Sequence, residues 1–337
     1  MATATYPEYH RALLNEASYP SASRRIKFEE TRNSYIYRTG EFAYVVRKAG
    51  PTSSSIALRE VYARETLALG RRWAPEIYLD VVPIVKSAGG YALHGEGEVV
   101  DYALRLIQLS DHYWLHKQIP QGKFNSAMVG RLARYLAQCH RESPQEEIAP
   151  GAGRPENFRD LTEEVLYQVK KYVNITVSPP VLDAVTRPVF KFVEDHRKLF
   201  LRRQKKGRVL ECHGAFVPEH VYIKGKDVFA VSPLSGSKKF RVLDAANDLA
   251  TFLNELARHE ATEQTELFVK RYVSASRDRE ITTMLPPYRT LQAMRSGLIF
   301  SESQASEEIS DEVRSELAHT AQSYFDLAVQ CAREIPK

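Results

Sequence analysis

Residues able to do chemistry crowd into one stretch of the chain, 208–252. From 209 to 223 it reads Val-Leu-Glu-Cys-His-Gly-Ala-Phe-Val-Pro-Glu-His-Val-Tyr-Ile. Glu211, Glu219 and His220 are the side chains there that could take up or release a proton. From 240 to 253 it reads Phe-Arg-Val-Leu-Asp-Ala-Ala-Asn-Asp-Leu-Ala-Thr-Phe-Leu, with Asp244 and Asp248 opening a helical pattern. Between Asp227 and Asp244 there is no Asp or Glu. A hard cation such as Mg²⁺ seeks oxygen ligands, and that interval offers it no carboxylate. Glu219 and His220 together could bind a transition metal, although a lone His–Glu neighbour pair reads more simply as a solvated loop. His112 and His116 have helical spacing, but two ligands alone make a weak metal site. Cys139, Cys212 and Cys331 are odd in number and far apart. They exclude a disulfide framework or a spaced zinc site and read as free thiols.

The elements around this stretch change character along the chain. Residues 34–38 and 42–46 are apolar and aromatic runs around Thr39-Gly40, a hairpin signal. Residues 51–55 read as a loop, and Ser55 as the cap of a helix through Leu58, Val61, Tyr62, Glu65 and Leu69. A loop and a strand are expected over 75–83, and a further hairpin over 91–93 and 99–106. After Ser110 the pattern turns helical: 125–142, 157–174, 180–204, 244–260, 262–274, 287–299 and 306–333. The helical run is interrupted by short β runs at 209–210, 221–223 and 228–231, with Gly225 turning between the last two. This order predicts an α+β protein of two lobes: a β-rich N-lobe with one helix (1–107) and a larger helical C-lobe (108–337).

Composition narrows the function classes. The 337 residues suffice for two lobes with a sizeable core. Hydrophobic residues at 43% and charged residues at 26% are in the globular range. No apolar run reaches the roughly 18 residues that would span a bilayer. Residues 1–20 lack a basic-then-apolar leader pattern, so a cytoplasmic location is expected. The net charge of +5 is weak evidence for an acidic partner. Arg202, Arg203, Lys205, Lys206 and Arg208 form the densest basic run and read as a solvated helix end. With no nucleic-acid motif beside it, no nucleic-acid partner is expected.

The 208–252 stretch resembles the catalytic segment of the aminoglycoside-phosphotransferase/small-molecule-kinase superfamily. There the first part normally reads His-Gly-Asp, four residues, Asn; an Asp follows at the end of the next strand; then Asp-x-x-x-Asp-Leu-Ala opens a helix. His213, Gly214, Asp244, Asp248, Leu249 and Ala250 match. Further matching stretches, at 39–48, 71–84, 99–106 and 285–295, resemble a bacterial branch of phosphotransferase-like proteins. Some members of that branch also carry a P-loop ATPase domain, but this chain has no G-x-x-x-x-G-K-[ST] sequence.

The departures from the pattern bear on activity. By the resemblance, Ala215 stands where an aspartate would handle the proton of the attacking hydroxyl. His220 replaces the metal-binding asparagine, and Ser232, within a residue, replaces the metal-binding strand-end aspartate. His213 and Asp248 become scaffold residues bracing the loop. Arg47 or Lys48 matches the nucleotide-phosphate lysine, and Glu65 its helix carboxylate partner; residues 29–35 offer no glycine-rich loop. Losing a general base costs about 10²–10⁴ in rate, and losing the metal removes several kcal/mol more. Together these imply a rate roughly a millionth of normal or less, about 8 kcal/mol. The resemblance with these losses implies a pseudokinase acting by binding, with a protein partner or a small molecule in the inter-lobe cleft. No metal is expected, and ATP, if bound, would bind without Mg²⁺. The alternative is an active phosphotransferase or nucleotidyl transferase with a rearranged site, using Glu211, Glu219 or His220 as base.

Overall fold

The computed structural model describes residues 6–20, 25–31, 33–50, 55–93, 95–145, 148–149, 151–236, 238–306 and 309–336. Of the loop expected at 51–55, residues 51–54 lie outside them. The chain divides into two compact units, one of 2–113 with 229–236, the other of 114–228 with 237–337.

The N-terminal unit contains the short helix α1 (His10–Leu13), strands β1 (Lys27–Glu30), β2 (Ser34–Arg38) and β3 (Phe42–Arg47), helix α2 (Ile56–Trp73), and strands β4 (Tyr78–Ser87), β5 (Gly90–Leu93) and β6 (Glu98–Ile107). The six strands form one antiparallel sheet in the order β1-β2-β3-β6-β4-β5. Strand alternation puts Tyr35 and Tyr37 on one face. There they join Tyr9, Leu13, Tyr19, Tyr44, Val46, Val82 and Ile84 in the core. Buried phenols need partners. Tyr19 donates to the Leu13 carbonyl at 2.6 Å, Tyr37 meets His10 Nδ1 at 2.9 Å, and Tyr9 donates to Asp101 at 2.5 Å. Asp101 on β6 is buried and also pairs with Arg59, which fastens α2 to the sheet. Ser55 caps α2 through the Leu58 N–H at 3.3 Å, as its position in the sequence suggests.

The C-terminal unit is mainly helical. In chain order come α3 (Leu115–Gln118), α4 (Ser126–Glu142), α5 (Pro155–Val169), α6 (Pro179–Asp195), α7 (Arg197–Lys205), β7 (Val209–Glu211), β8 (Val221–Lys224), β9 (Asp227–Ala230), β10 (Val242–Asp244), α8 (Ala246–Arg258), α9 (Thr262–Ser276), α10 (Ile281–Gln304) and α11 (Asp311–Arg333). The last residues of β9 count with the N-terminal unit. β7 pairs antiparallel with β10, and β8 and β9 form a hairpin turning at Gly225. Asn125 caps α4, accepting from the N–H groups of Ala127 and Met128 at 3.1 Å each. Met128, Val129, Leu132 and Leu136 are buried on its apolar face. An antiparallel-sheet N-lobe followed by a larger helical part is the expected two-lobed, kinase-like α+β architecture.

Several element boundaries differ from expectation. The helix expected over 306–333 starts at Asp311, and that over 157–174 spans Pro155–Val169. Two further differences have a clear physical cause. The helix expected over 180–204 is two helices, because His196 leaves helical geometry at φ −108°, ψ 21°. The helix expected over 287–299 begins at Ile281 and carries Pro286 and Pro287 inside it. Proline removes helix hydrogen bonds, but Met284, Leu285, Pro287, Tyr288 and Leu291 are all buried and packing holds the helix through them.

Candidate functional site

The loop after β7 is organised by one carboxylate. Asp248, fully buried in the first turn of α8, accepts the backbone N–H of His213 at 2.7 Å and that of Gly214 at 2.8 Å. Gly214 has φ +74°, the left-handed region open to glycine. His140 Nε2 lies 3.1 Å from the same carboxylate, and Tyr272 Oη lies 2.8 Å from His140 Nδ1. Asp248 thus joins the loop to α4 and α9. The His213 ring is fully buried and meets Phe216 edge-on, with centroids 5.8 Å apart.

The loop closes on itself. His220 Nδ1 lies 2.8 Å from the Ala215 carbonyl oxygen. A carbonyl only accepts, so Nδ1 carries the proton and the neutral ring leaves Nε2 as an acceptor. Burial pulls the His220 pKa below its ordinary value, which favours that neutral form. Of the other bases considered, Glu211 is buried in an ion pair with Arg241 at 2.8 Å, and Glu219 is exposed. The Cys212 thiol is fully buried, and that burial pushes its pKa well up. His112 and His116 do not share a helical face: one lies in a 3₁₀ turn (Asp111–Tyr113), the other in α3, with Trp114 extended between them at φ −68°, ψ 133°. Among the described residues no three His, Cys, Asp or Glu side chains group so as to hold a metal ion.

Ser232 lies in the segment that belongs to the N-terminal unit. Its φ of +57° is left-handed, a strained setting for a residue that also precedes proline. Its N–H donates to the buried Tyr78 hydroxyl at 2.8 Å. Burial, in turn, pushes the Tyr78 pKa up to about 12. The Tyr78 ring packs against Gly70 of α2, where an added Cβ would meet a ring carbon at 2.3 Å. Gly70→Ala is therefore expected to destabilise the protein by about 1–3 kcal/mol through overpacking. A lower midpoint in thermal denaturation checks this, with Gly89→Ala, where the nearest atom stands 3.7 Å away, as the control. In the same unit, the Arg47 guanidinium lies 3.7 Å from the Tyr62 ring centroid. Lys48 pairs with Glu30 at 2.5 Å. Glu65 is half-buried on α2.

The basic run at the end of α7 is a solvated helix end at Arg202, Lys205 and Lys206, which are exposed, and departs from that expectation at Arg203. Arg203 is fully buried. It grips Asp244 through two bonds of 2.6 and 2.9 Å and Asp278 through two of 2.7 and 2.8 Å. Burial opposes its charge, but the two carboxylates outweigh this and raise its pKa. Arg202 and Lys206 pair with Glu280 at 2.7 and 3.2 Å. Arg203 shares a helical face with the buried Leu199 and Phe200, but the carboxylates that draw it inside are distant in the chain.

The magnesium of small-molecule kinases would be held by hard oxygen ligands. Of the residues that the resemblance sets at metal positions, His220 offers an imidazole whose Nδ1 already donates to a carbonyl and Ser232 a neutral hydroxyl; neither supplies the carboxylate or amide oxygen expected there.

No protein-family model matches the sequence. Curated relatives of Mycobacterium tuberculosis and Mycobacterium bovis, both described as uncharacterized proteins, are 21% identical over 257 residues. The alignment covers 75% of this chain and 50% of theirs, so the chain spans about half the length of the curated relatives it matches. Among solved structures, choline kinase from Cryptosporidium parvum superposes with a TM-score of 0.55 at 11% identity, covering 92% of this chain and 89% of its own. A choline/ethanolamine kinase family protein from Mesorhizobium loti gives 0.57 at 13% identity, covering 97% and 100%. Amicoumacin kinase hAmiN, in complex with AMP-PNP, Ca²⁺ and Ami, gives 0.55 at 13%, covering 94% and 91%. The chain has the aminoglycoside-phosphotransferase/small-molecule-kinase fold. No helix among the described residues is long and apolar enough to cross a membrane.

Proposed function

We propose that this chain is a pseudokinase, a kinase-fold protein that acts by binding a ligand or a partner protein and does not transfer phosphoryl groups. The observation that carries this reading is the bond from His220 to the Ala215 carbonyl. It joins the two loop positions that matter most for transfer, neither of which bears a carboxylate. Phosphoryl transfer is chiefly positioning plus charge neutralisation through bound Mg²⁺, and hard donors are lacking there. Arg47 and Lys48 support nucleotide binding, and a nucleotide held by cations alone needs no metal. Expected, then, is no ATP turnover above background at high enzyme concentration with Mg²⁺ present. A thermal shift caused by ATP, if seen, is expected to be unchanged by EDTA.

A second reading rests on His220 Nε2, a neutral acceptor in a loop where a base would be useful. On that reading His220 serves a rearranged transferase. Mg²⁺-dependent turnover that disappears in His220→Ala would establish it and sink the first.

A further inference from the structure

Arg295, on α10, is a cation without a counter-ion. Its guanidinium stands 4.5 Å from the centroid of the Phe240 ring, and one N–H reaches Gln292 Oε1 at 3.4 Å. Burial alone draws its pKa down to about 10, with no acid acting the other way. Other deeply set arginines of the chain are matched. Arg203 has Asp244 and Asp278, Arg241 has Glu211, and Arg59 has Asp101. Lys239, whose Nζ is 5.1 Å from the same Phe240 ring, is paired with Glu164. Among the described residues, then, no carboxylate offsets Arg295. A charge set in protein without a partner is expensive, and an aromatic face recovers only part of that.

A second observation points the same way. Asn247, fully buried in the first turn of α8, accepts from Gln292 Nε2 at 2.5 Å through its Oδ1. Its Nδ2 has no partner. Buried amide donors are ordinarily satisfied. Arg295, Gln292 and Asn247 thus form one connected polar line holding a surplus of donors: an uncompensated guanidinium at one end and an unused N–H at the other. What completes such a line is an acceptor carrying negative charge. The planar fork of a guanidinium matches an oxyanion through paired bonds.

We propose that Arg295, stacked on Phe240 and backed by Gln292 and Asn247, is a binding site for the oxyanion of a small molecule, a carboxylate or a phosphoryl group. The site lies wholly in the helical unit. It goes beyond the pseudokinase reading, since it requires neither a nucleotide nor a transfer step, and it stands or falls separately from the turnover assay.

The test uses the whole chain and two probes, inorganic phosphate and malonate, each compared with sodium chloride at matched ionic strength. Thermal shift and calorimetry are measured on the wild type, on Arg295→Met and on Arg295→Lys. At least one probe is expected to raise the wild-type melting temperature beyond chloride. Its apparent Kd is expected to weaken roughly tenfold or more in Arg295→Met and by less in Arg295→Lys, which keeps the charge and loses the fork. Without anions, Arg295→Met is expected to melt at or above the wild-type temperature, because it removes an uncompensated charge. A response to phosphate alone assigns a phosphoryl ligand, and one to malonate alone a carboxylate. Three results each overturn the proposal: no shift with either probe, the same shift in Arg295→Met, or an Arg295→Met protein that unfolds or melts clearly lower without anions, which would make Arg295 a structural strut.

Discussion

Replacing Arg203 with methionine is expected to lower the unfolding free energy by about 3–5 kcal/mol, among the largest single-site effects in the chain. The guanidinium is fully buried and makes four bonds of 2.6 to 2.9 Å to Asp244 and Asp278. Methionine fills much of the volume, so lost packing is a small part of the effect. What dominates is the pair of carboxylates, each about 3% exposed, left facing each other without a cation. Arg208 does not replace it, since its Nε stands 3.8 Å from Asp278 and none of its bonds reaches Asp244. Lysine at this position keeps the charge but cannot grip two carboxylates with paired bonds, so Arg203→Lys is expected to fall between methionine and the wild type. Arg202→Ala, four-tenths or more exposed and paired only with Glu280, is expected to change stability by less than about 1 kcal/mol. Urea denaturation of the three variants reads all of this. Equal midpoints for Arg203→Met and Arg202→Ala would show that the buried network carries no stability. A further variant, Arg203→Met with Asp244→Asn and Asp278→Asn, is expected to recover part of the loss, because neutral amides no longer need the cation.

Why Arg203 escaped the sequence reading, while most of the fold did not, is a matter of which forces are local. The Thr39-Gly40 hairpin, the Ser55 cap and the Gly225 turn are set by residues within a few positions of each other, and each is where its spacing suggests. The break at His196 and the passage of α10 through Pro286 and Pro287 depend on packing from distant parts of the chain, which local rules do not contain. Arg203 is the same case in electrostatic form. Cations at a helix end are ordinarily solvated, and the carboxylates that draw this one inside lie 41 and 75 residues away. At the candidate site, it was the family resemblance that marked Ala215, His220 and Ser232 as departures from the kinase pattern. The bond between His220 and the Ala215 carbonyl, the left-handed turn at Ser232 and the Tyr78 hydroxyl beneath it required coordinates. Arg295 left no signal in the sequence at all, because its distinguishing feature is a partner that is missing.

Asp248→Ala is expected to be nearly as damaging, for a different reason. The carboxylate has no exposure, and it serves two consecutive backbone N–H groups, those of His213 and Gly214, at 2.7 and 2.8 Å. Alanine would leave both donors buried and unmatched, each costing about 1–3 kcal/mol, and would cut the link to His140 as well. A total loss of roughly 3–5 kcal/mol follows, on the order of a 10 °C fall in melting temperature for a protein of this size. Asp248→Asn separates geometry from charge. Its amide oxygen can keep one of the two backbone bonds, but its NH₂ group faces a second donor, so it is expected to recover less than half of the loss. Glu219→Ala, on the exposed turn of the same loop, is expected to shift the midpoint by no more than about 0.5 kcal/mol. The contrast matters because Asp248 touches none of Ala215, His220 or Ser232 through a bond in the structure. If it anchors the loop, the loop's shape is held by a carboxylate that bonds none of those three residues, and the stability difference between the two variants is large. Should Asp248→Ala melt within a degree of Glu219→Ala, the carboxylate would not be holding the His213–Gly214 turn, and the correspondence of this segment with a kinase catalytic loop would lose its structural support.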